Sequence, residues 1–270
     1  MPHPTDLRER FARDGFVTPL TAMTPAAAAG YRGQLEAAEA RFAAEPALRK
    51  CLRRYPNLVL PFVDEITRLP AITDTVAAIL GEDLLVLDPP FFIKEAQTPH
   101  YVSWHQDLHY WGLAADDEVT AWVALSPATV ESGCMRFVPG SHRQVVDHVD
   151  THAEGNLLTR GQELAVEVDE SEARDVVLQP GQFSLHHGRV FHASHANRSD
   201  DRRIGLAIRY IPAGMRQIAG ADMAAMLVRG QDRFHHFREC RPPSGVFLAE
   251  DLAHWRDIQG ARDKVMYRET

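Results

Sequence analysis

Tyr101-Val-Ser-Trp-His-Gln-Asp-Leu-His-Tyr-Trp111 is the stretch from which the rest of the chain is read. It is aromatic-rich, lies between two apolar runs, and has the texture of an extended strand. Alternate residues of a strand share a face, so His105 and Asp107 project together. One neutral nitrogen ligand beside one anionic oxygen ligand is half of a divalent-metal site. A second His brought in by the fold would complete a two-His-one-carboxylate triad, the donor set of non-haem Fe(II) oxygenases, with three coordination positions open. A second H-x-D pair, His148 and Asp150, is set in Asp-His-Val-Asp-Thr-His-Ala-Glu-Gly-Asn, which reads as a solvated loop. The aromatic context favours the first pair. His109, Tyr110 and Trp111 directly follow it, and both rim packing and a substrate wall remain open for them.

Outward from this stretch, the 270 residues suffice for a large buried core. The hydrophobic fraction of 45% and charged fraction of 24% are those of an ordinary globular protein. A formal charge of −8 and a pI near 5.9 give no footprint for nucleic acid or an anionic membrane. The start of the chain lacks an apolar signal core, and no run is long enough to span a bilayer. The three isolated cysteines, Cys51, Cys134 and Cys240, make poor material for a disulfide framework. A cytoplasmic protein with a small-molecule substrate is expected, and oligomeric state is not legible.

Toward the N-terminus, residues 5–16 predict a short helix capped by Thr5 and ended by Gly15, followed by a brief strand. Thr24-Pro25 opens a second helix reaching about Phe42. Residues 57–80 carry a helical pattern broken at Pro70 and closed by Gly81. From Leu84 the texture becomes strand-like, on either side of Pro89-Pro90. Further strands are expected at 118–125, 133–138, 175–178, 182–186 and 203–211. Residues 142–172 read as polar and irregular, with only Leu164–Val168 as a possible strand, and 212–270 as short helical pieces, loops and a polar tail. Pro139-Gly140-Ser141-His142 reads as a turn without chemistry. Helices first and many short strands after them indicate a β-sandwich or open barrel with helices outside. One domain is expected: helices over 1–82, a β core over 83–212 and a helical and loop cover over 213–270. The polar 142–172 segment and the 212–250 region are candidate lids.

The second half of the candidate site falls in 181–203, where four His occupy ten positions: His186, His187, His192 and His195. Here the residues carry a resemblance. Trp104-His105-Gln106-Asp107, then Glu131-Ser-Gly-Cys-Met-Arg-Phe-Val-Pro-Gly-Ser-His142, then His192-Ala-Ser194-x-x-Asn197 and Arg203, resemble the phytanoyl-CoA dioxygenase family. The resemblance covers about residues 84–212. It implies a mainly β chain with flanking helices around a double-stranded β-helix, the jelly-roll of the cupins. It implies Fe(II), 2-oxoglutarate as cosubstrate, and O2.

By that resemblance, His105, Asp107 and His192 hold iron, and Arg203 with Ser194 grips the distal carboxylate of 2-oxoglutarate. Trp122 packs beside the cosubstrate, and Lys94 and Thr98 supply further contacts. Arg202 faces outward if its strand is regular. Arg suits the clamp because its fork gives two parallel donors and keeps its charge when buried. The expected reaction is hydroxylation of an aliphatic C–H of an amino acid-like molecule, a compatible solute or a natural-product intermediate. Desaturation or cyclisation, or a metal-binding protein without turnover, are the alternatives. Members that chlorinate have a small residue where this chain has Asp107, so halogenation is not expected. The chain shows no basic cluster suited to the phosphates of a CoA ester.

Overall fold

The computed structural model describes residues 4–108, 111–158, 161–218 and 223–266. In chain order the elements are helix α1 (Pro4–Asp14), strand β1 (Phe16–Thr21), and helices α2 (Pro25–Arg41), α3 (Leu48–Arg53), α4 (Pro61–Thr67) and α5 (Pro70–Leu80). Strands β2 (Leu84–Val86), β3 (Phe91–Lys94), β4 (Val102–His105), β5 (Val119–Ala124) and β6 (Met135–Phe137) follow. Then come β7 (His148–Asp150), β8 (Gln162–Leu164), β9 (Arg174–Val176), β10 (Gln182–His187), β11 (His192–Ser194) and β12 (Arg203–Pro212). Strands β13 (Ala224–Arg229) and β14 (Arg238–Glu239) and helix α6 (Ala249–Met266) complete the set.

The punctuation acts where expected. Gly15 takes φ +80°, which an L side chain rarely adopts, and ends α1. Thr24 Oγ1 accepts the Ala27 N–H at 3.2 Å and caps α2. Pro70 stands at the start of α5, so one apolar pattern becomes two helices. Thr5 lies inside α1 and is not its cap.

The chain divides into two compact units interleaved in sequence. The first comprises Met1–Ala29, Phe92–Trp111 and Trp122–Gly205. Within it β1, β10, and the parts of β5 and β12 it contains are neighbours in that order, and β4-β11-β6-β9 form a second sheet. These sheets are antiparallel along β1–β10, β4–β11, β11–β6 and β6–β9. Rings from both meet between them. Phe16 on β1 lies 4.9 Å from Phe137 on β6, and Phe137 lies 5.0 Å from His186 on β10. The antiparallel sheets are those of a double-stranded β-helix.

The second unit comprises Gly30–Phe91, Gly112–Ala121 and Leu206–Thr270. Its strands run β12-β2-β13-β14, and its helices are tied by buried polar groups. Tyr210 Oη donates to the Thr67 carbonyl at 2.7 Å, and Trp255 Nε1 to that of Arg54 at 2.7 Å.

Three expectations are corrected. The segment 148–154, expected as a loop, begins as strand β7, which pairs with β8, so the strand lies at Gln162–Leu164 and not at 164–168. Helix α3 is an addition to the expected elements. The cover after 212 contains strand β13 and the 18-residue α6. The Ala-Ala-Met-Leu run of β13 has helix-forming composition, but pairing with β2 outweighs that propensity. No helix among the described residues is long and apolar enough to cross a membrane.

Candidate metal and cosubstrate site

His105 ends β4 and His192 begins β11, and the antiparallel register sets the two directly opposite each other. Their ring centroids are 3.9 Å apart. Asp107 lies two residues past the end of β4, with its Oδ1 3.5 Å from His105 Nε2. One ligand atom from each of His105, Asp107 and His192 falls within 4.8 Å of the others, and both imidazoles are buried.

Backbone carbonyls set the tautomers. His105 Nδ1 is 2.9 Å from the Ser103 carbonyl and 3.1 Å from that of His192. His192 Nδ1 is 2.9 Å from the Val190 carbonyl. Each Nδ1 carries the hydrogen as donor, which leaves Nε2 with a lone pair for a metal. Burial, assisted by the neighbouring His105, pushes the His192 imidazolium well below its usual range. A neutral imidazole is the ligating form. Two imidazole nitrogens and one carboxylate oxygen suit Fe(II).

Beside the triad stands a pair of buried basic side chains. Lys94, at the end of β3, donates from Nζ to Ser194 Oγ at 2.7 Å and also to the His195 carbonyl. Arg203, the first residue of β12, is 1% exposed. Its Nη1 donates to the Gly133 carbonyl at 3.0 Å, and its Nε is buried without a partner. The Trp122 ring lies 5.2 Å from the guanidinium carbon. Among the described residues no carboxylate pairs with Lys94 or Arg203. Burial, with Arg203 adding repulsion, draws Lys94 down to about 6, and burial draws Arg203 to about 10. Two desolvated basic groups and an orphaned N–H are matched by a bound dianion, which would bring Lys94 to its charged form.

Residues without an anticipated role build this pocket. Asn197 donates from Nδ2 to the carbonyls of Lys94, Glu95 and Asp201, tying β3 to the loop before Arg203. Gly133 has φ +70°, and a methyl group there would overlap the His195 carbonyl. A methyl group on Gly205 would overlap the Trp122 indole. Two glycines beside motif residues are the available signal in the sequence.

The other named residues divide. His109 and Tyr110 lie outside the described residues. Trp111 is half-buried. Thr98 forms a β-bridge with Asn197, and its hydroxyl is 2.9 Å from His100 Nδ1. Arg202 faces outward and pairs with exposed Glu95 at 2.9 and 3.0 Å. His195 is exposed and meets Arg136 at 3.0 Å, and His187 Nδ1 accepts the Arg189 N–H at 3.0 Å. His186 is buried in the ring cluster, 5.1 Å from His192.

The family described as phytanoyl-CoA dioxygenase (PhyH) matches residues 11–205. A solved structure titled non-heme monooxygenase ThoJ, apo, is 36% identical, with TM-score 0.88 over 97% of each chain. The ThoJ–Ni complex is 34% identical, with TM-score 0.82 over 97% of this chain and 98% of that one. A "probable alpha-ketoglutarate-dependent hypophosphite dioxygenase" of Stutzerimonas stutzeri is 29% identical over 67% of this chain and 66% of its own length. The chain spans 43% to 66% of the first three curated relatives it matches.

Proposed function

The chain belongs to the phytanoyl-CoA dioxygenase family, and on that premise we propose that it hydroxylates an aliphatic C–H of a small molecule. Members are Fe(II)- and 2-oxoglutarate-dependent oxygenases. The observation that carries the assignment of residues is the convergence of His105, Asp107 and His192 with both Nδ1 atoms engaged by carbonyls. In this reading those three hold Fe(II), and Lys94, Ser194 and Arg203 bind the distal carboxylate of 2-oxoglutarate. When bound, iron with 2-oxoglutarate and O2 supplies the oxidant for an unactivated C–H, with release of succinate and CO2.

The protein's own groups bind, orient and exclude water. The carbonyls of Ser103 and Val190 hold the imidazoles in one tautomer and one orientation. Arg203 Nε and the Lys94 ammonium meet the far carboxylate in a dry pocket, where charge-assisted hydrogen bonds are strong. Trp122 covers the guanidinium and keeps water from it. That the whole chain acts as one catalytic unit, on an amino acid-like, solute-like or natural-product substrate, is part of the same proposal.

The test is Fe(II)-dependent conversion of 2-oxoglutarate to succinate. His105→Ala and His192→Ala should abolish it. Full turnover in His192→Ala would overturn the assignment and move attention to His187 or His195.

A further inference from the structure

Asp107 lies beyond the last paired residue of β4. The residues before and after it are each held by hydrogen bonds. The Leu108 N–H donates to the Gly188 carbonyl at 3.0 Å. The Gln106 N–H donates to His148 Nε2 at 2.9 Å. The Gln106 side chain, 2% exposed, donates to the carbonyls of Gln144 and Arg189, each at 2.7 Å.

The same stretch of chain reaches the other arm of the triad. Ser141, 2% exposed, accepts the Phe191 N–H on its Oγ at 2.8 Å and donates to the Val138 carbonyl at 2.6 Å. Phe191 immediately precedes His192. One connection, from the turn at 141 to the start of β7, thus holds the amide beside His192 and the amide between His105 and Asp107. Pairing of β7 with β8, with His148 opposite Leu164, anchors its far end.

Resting on the metal reading above, we propose that residues 141–148 are a brace for the metal centre, and that His148 is a positioning residue for the Asp107 carboxylate. His148 is not a ligand. Its Nε2 is the acceptor that orients the His105–Gln106 peptide, one residue before Asp107. Partners bonded directly to a ligand are worth roughly 10–100-fold in metal affinity, and a brace on the neighbouring backbone acts on the same ligand orientation. The effect therefore appears in metal binding before any turnover.

The experiment is titration of the full chain with Co(II) alone, followed by visible absorption, with thermal denaturation of each metal-free variant. His148→Leu removes the acceptor, whereas His148→Gln keeps an oxygen at about the reach of Nε2. The expected result is Co(II) binding weakened about tenfold or more in His148→Leu at an unchanged melting temperature, with most of it restored in His148→Gln. Equal affinity in wild type, Leu and Gln variants would overturn the brace while leaving the triad intact. If the Leu variant does not fold, Ser141→Ala decides. It should weaken Co(II) binding through the Phe191 amide, and unchanged affinity would overturn the brace. A wild-type chain that takes no Co(II) would overturn the metal reading itself, and the brace with it.

Discussion

Lys94 Nζ lies 2.7 Å from Ser194 Oγ, so a buried amine from β3 and a hydroxyl two residues past His192 share one pocket. With burial and Arg203 drawing Lys94 down to about 6, the amine is neutral at neutral pH until an anion arrives. Binding of 2-oxoglutarate should therefore take up a proton. Its affinity should fall as pH rises from about 6 through the higher value Lys94 has in the complex. Calorimetry in two buffers of different protonation enthalpy measures the uptake, and Lys94→Met should abolish it. The same group acts on stability. Its folded value lies below the ordinary 10.5, so the folded state binds fewer protons and stability rises with pH between about 6 and 10.5.

Arg203 and Arg202 are adjacent but oppositely directed, one buried at 1% exposure and the other paired with Glu95 at the surface. Arg203→Ala should raise the 2-oxoglutarate KM by a factor of ten or more, the scale of about 1.5–3 kcal/mol for a hydrogen bond to a charged group. Arg203→Lys should not restore it, because a point charge does not reproduce the fork. Arg202→Ala should leave KM nearly unchanged. Steady-state kinetics with varied 2-oxoglutarate gives the ranking, and the reverse order would mean the clamp is misassigned.

Gly205→Ala should behave as a remote lesion of the clamp. The added methyl overlaps the Trp122 indole, which must move from its place over Arg203. A stability loss of roughly 1–3 kcal/mol is expected, together with a raised KM for 2-oxoglutarate. Metal affinity should stay at the wild-type level, since no ligand of the triad is touched. Denaturation and Co(II) titration separate the two effects.

His105 and Asp107 are legible in the sequence because strand alternation and aromatic context are local properties. The grouping of His192 with His105 and Asp107 is legible through the ordered motif and not through periodicity. The β7–β8 ladder is hidden because its residues are polar and half solvated, so neither alternation nor hydrophobicity marks it. The polar surroundings of His148 argue against a ligand, in keeping with its place outside the triad, but they say nothing of its bond to the Gln106 amide. A backbone N–H leaves no trace in residue identity. The Gly205–Trp122 contact joins neighbouring strands that lie more than eighty residues apart in the chain, so no local pattern marks it.

Halide should not enter the product. Asp107 supplies the carboxylate that closes the triad, and its charge opposes a second anion there. Reactions run with excess chloride or bromide, analysed by mass, should yield only oxygenated or otherwise non-halogenated product. Asp107→Gly should lose hydroxylation.

The direct pairing of His105 with His192 makes an ion bound there a clasp across a chain loop of 87 residues. Closing so long a loop is entropically unfavourable in the unfolded chain, and an ion that recognises only the closed form shifts the balance toward it. The ladder between β4 and β11 and the coordination sphere should then assemble as one cooperative event. A chelator would withdraw that increment of stability and lower the melting temperature of the metal-loaded chain to that of the metal-free one.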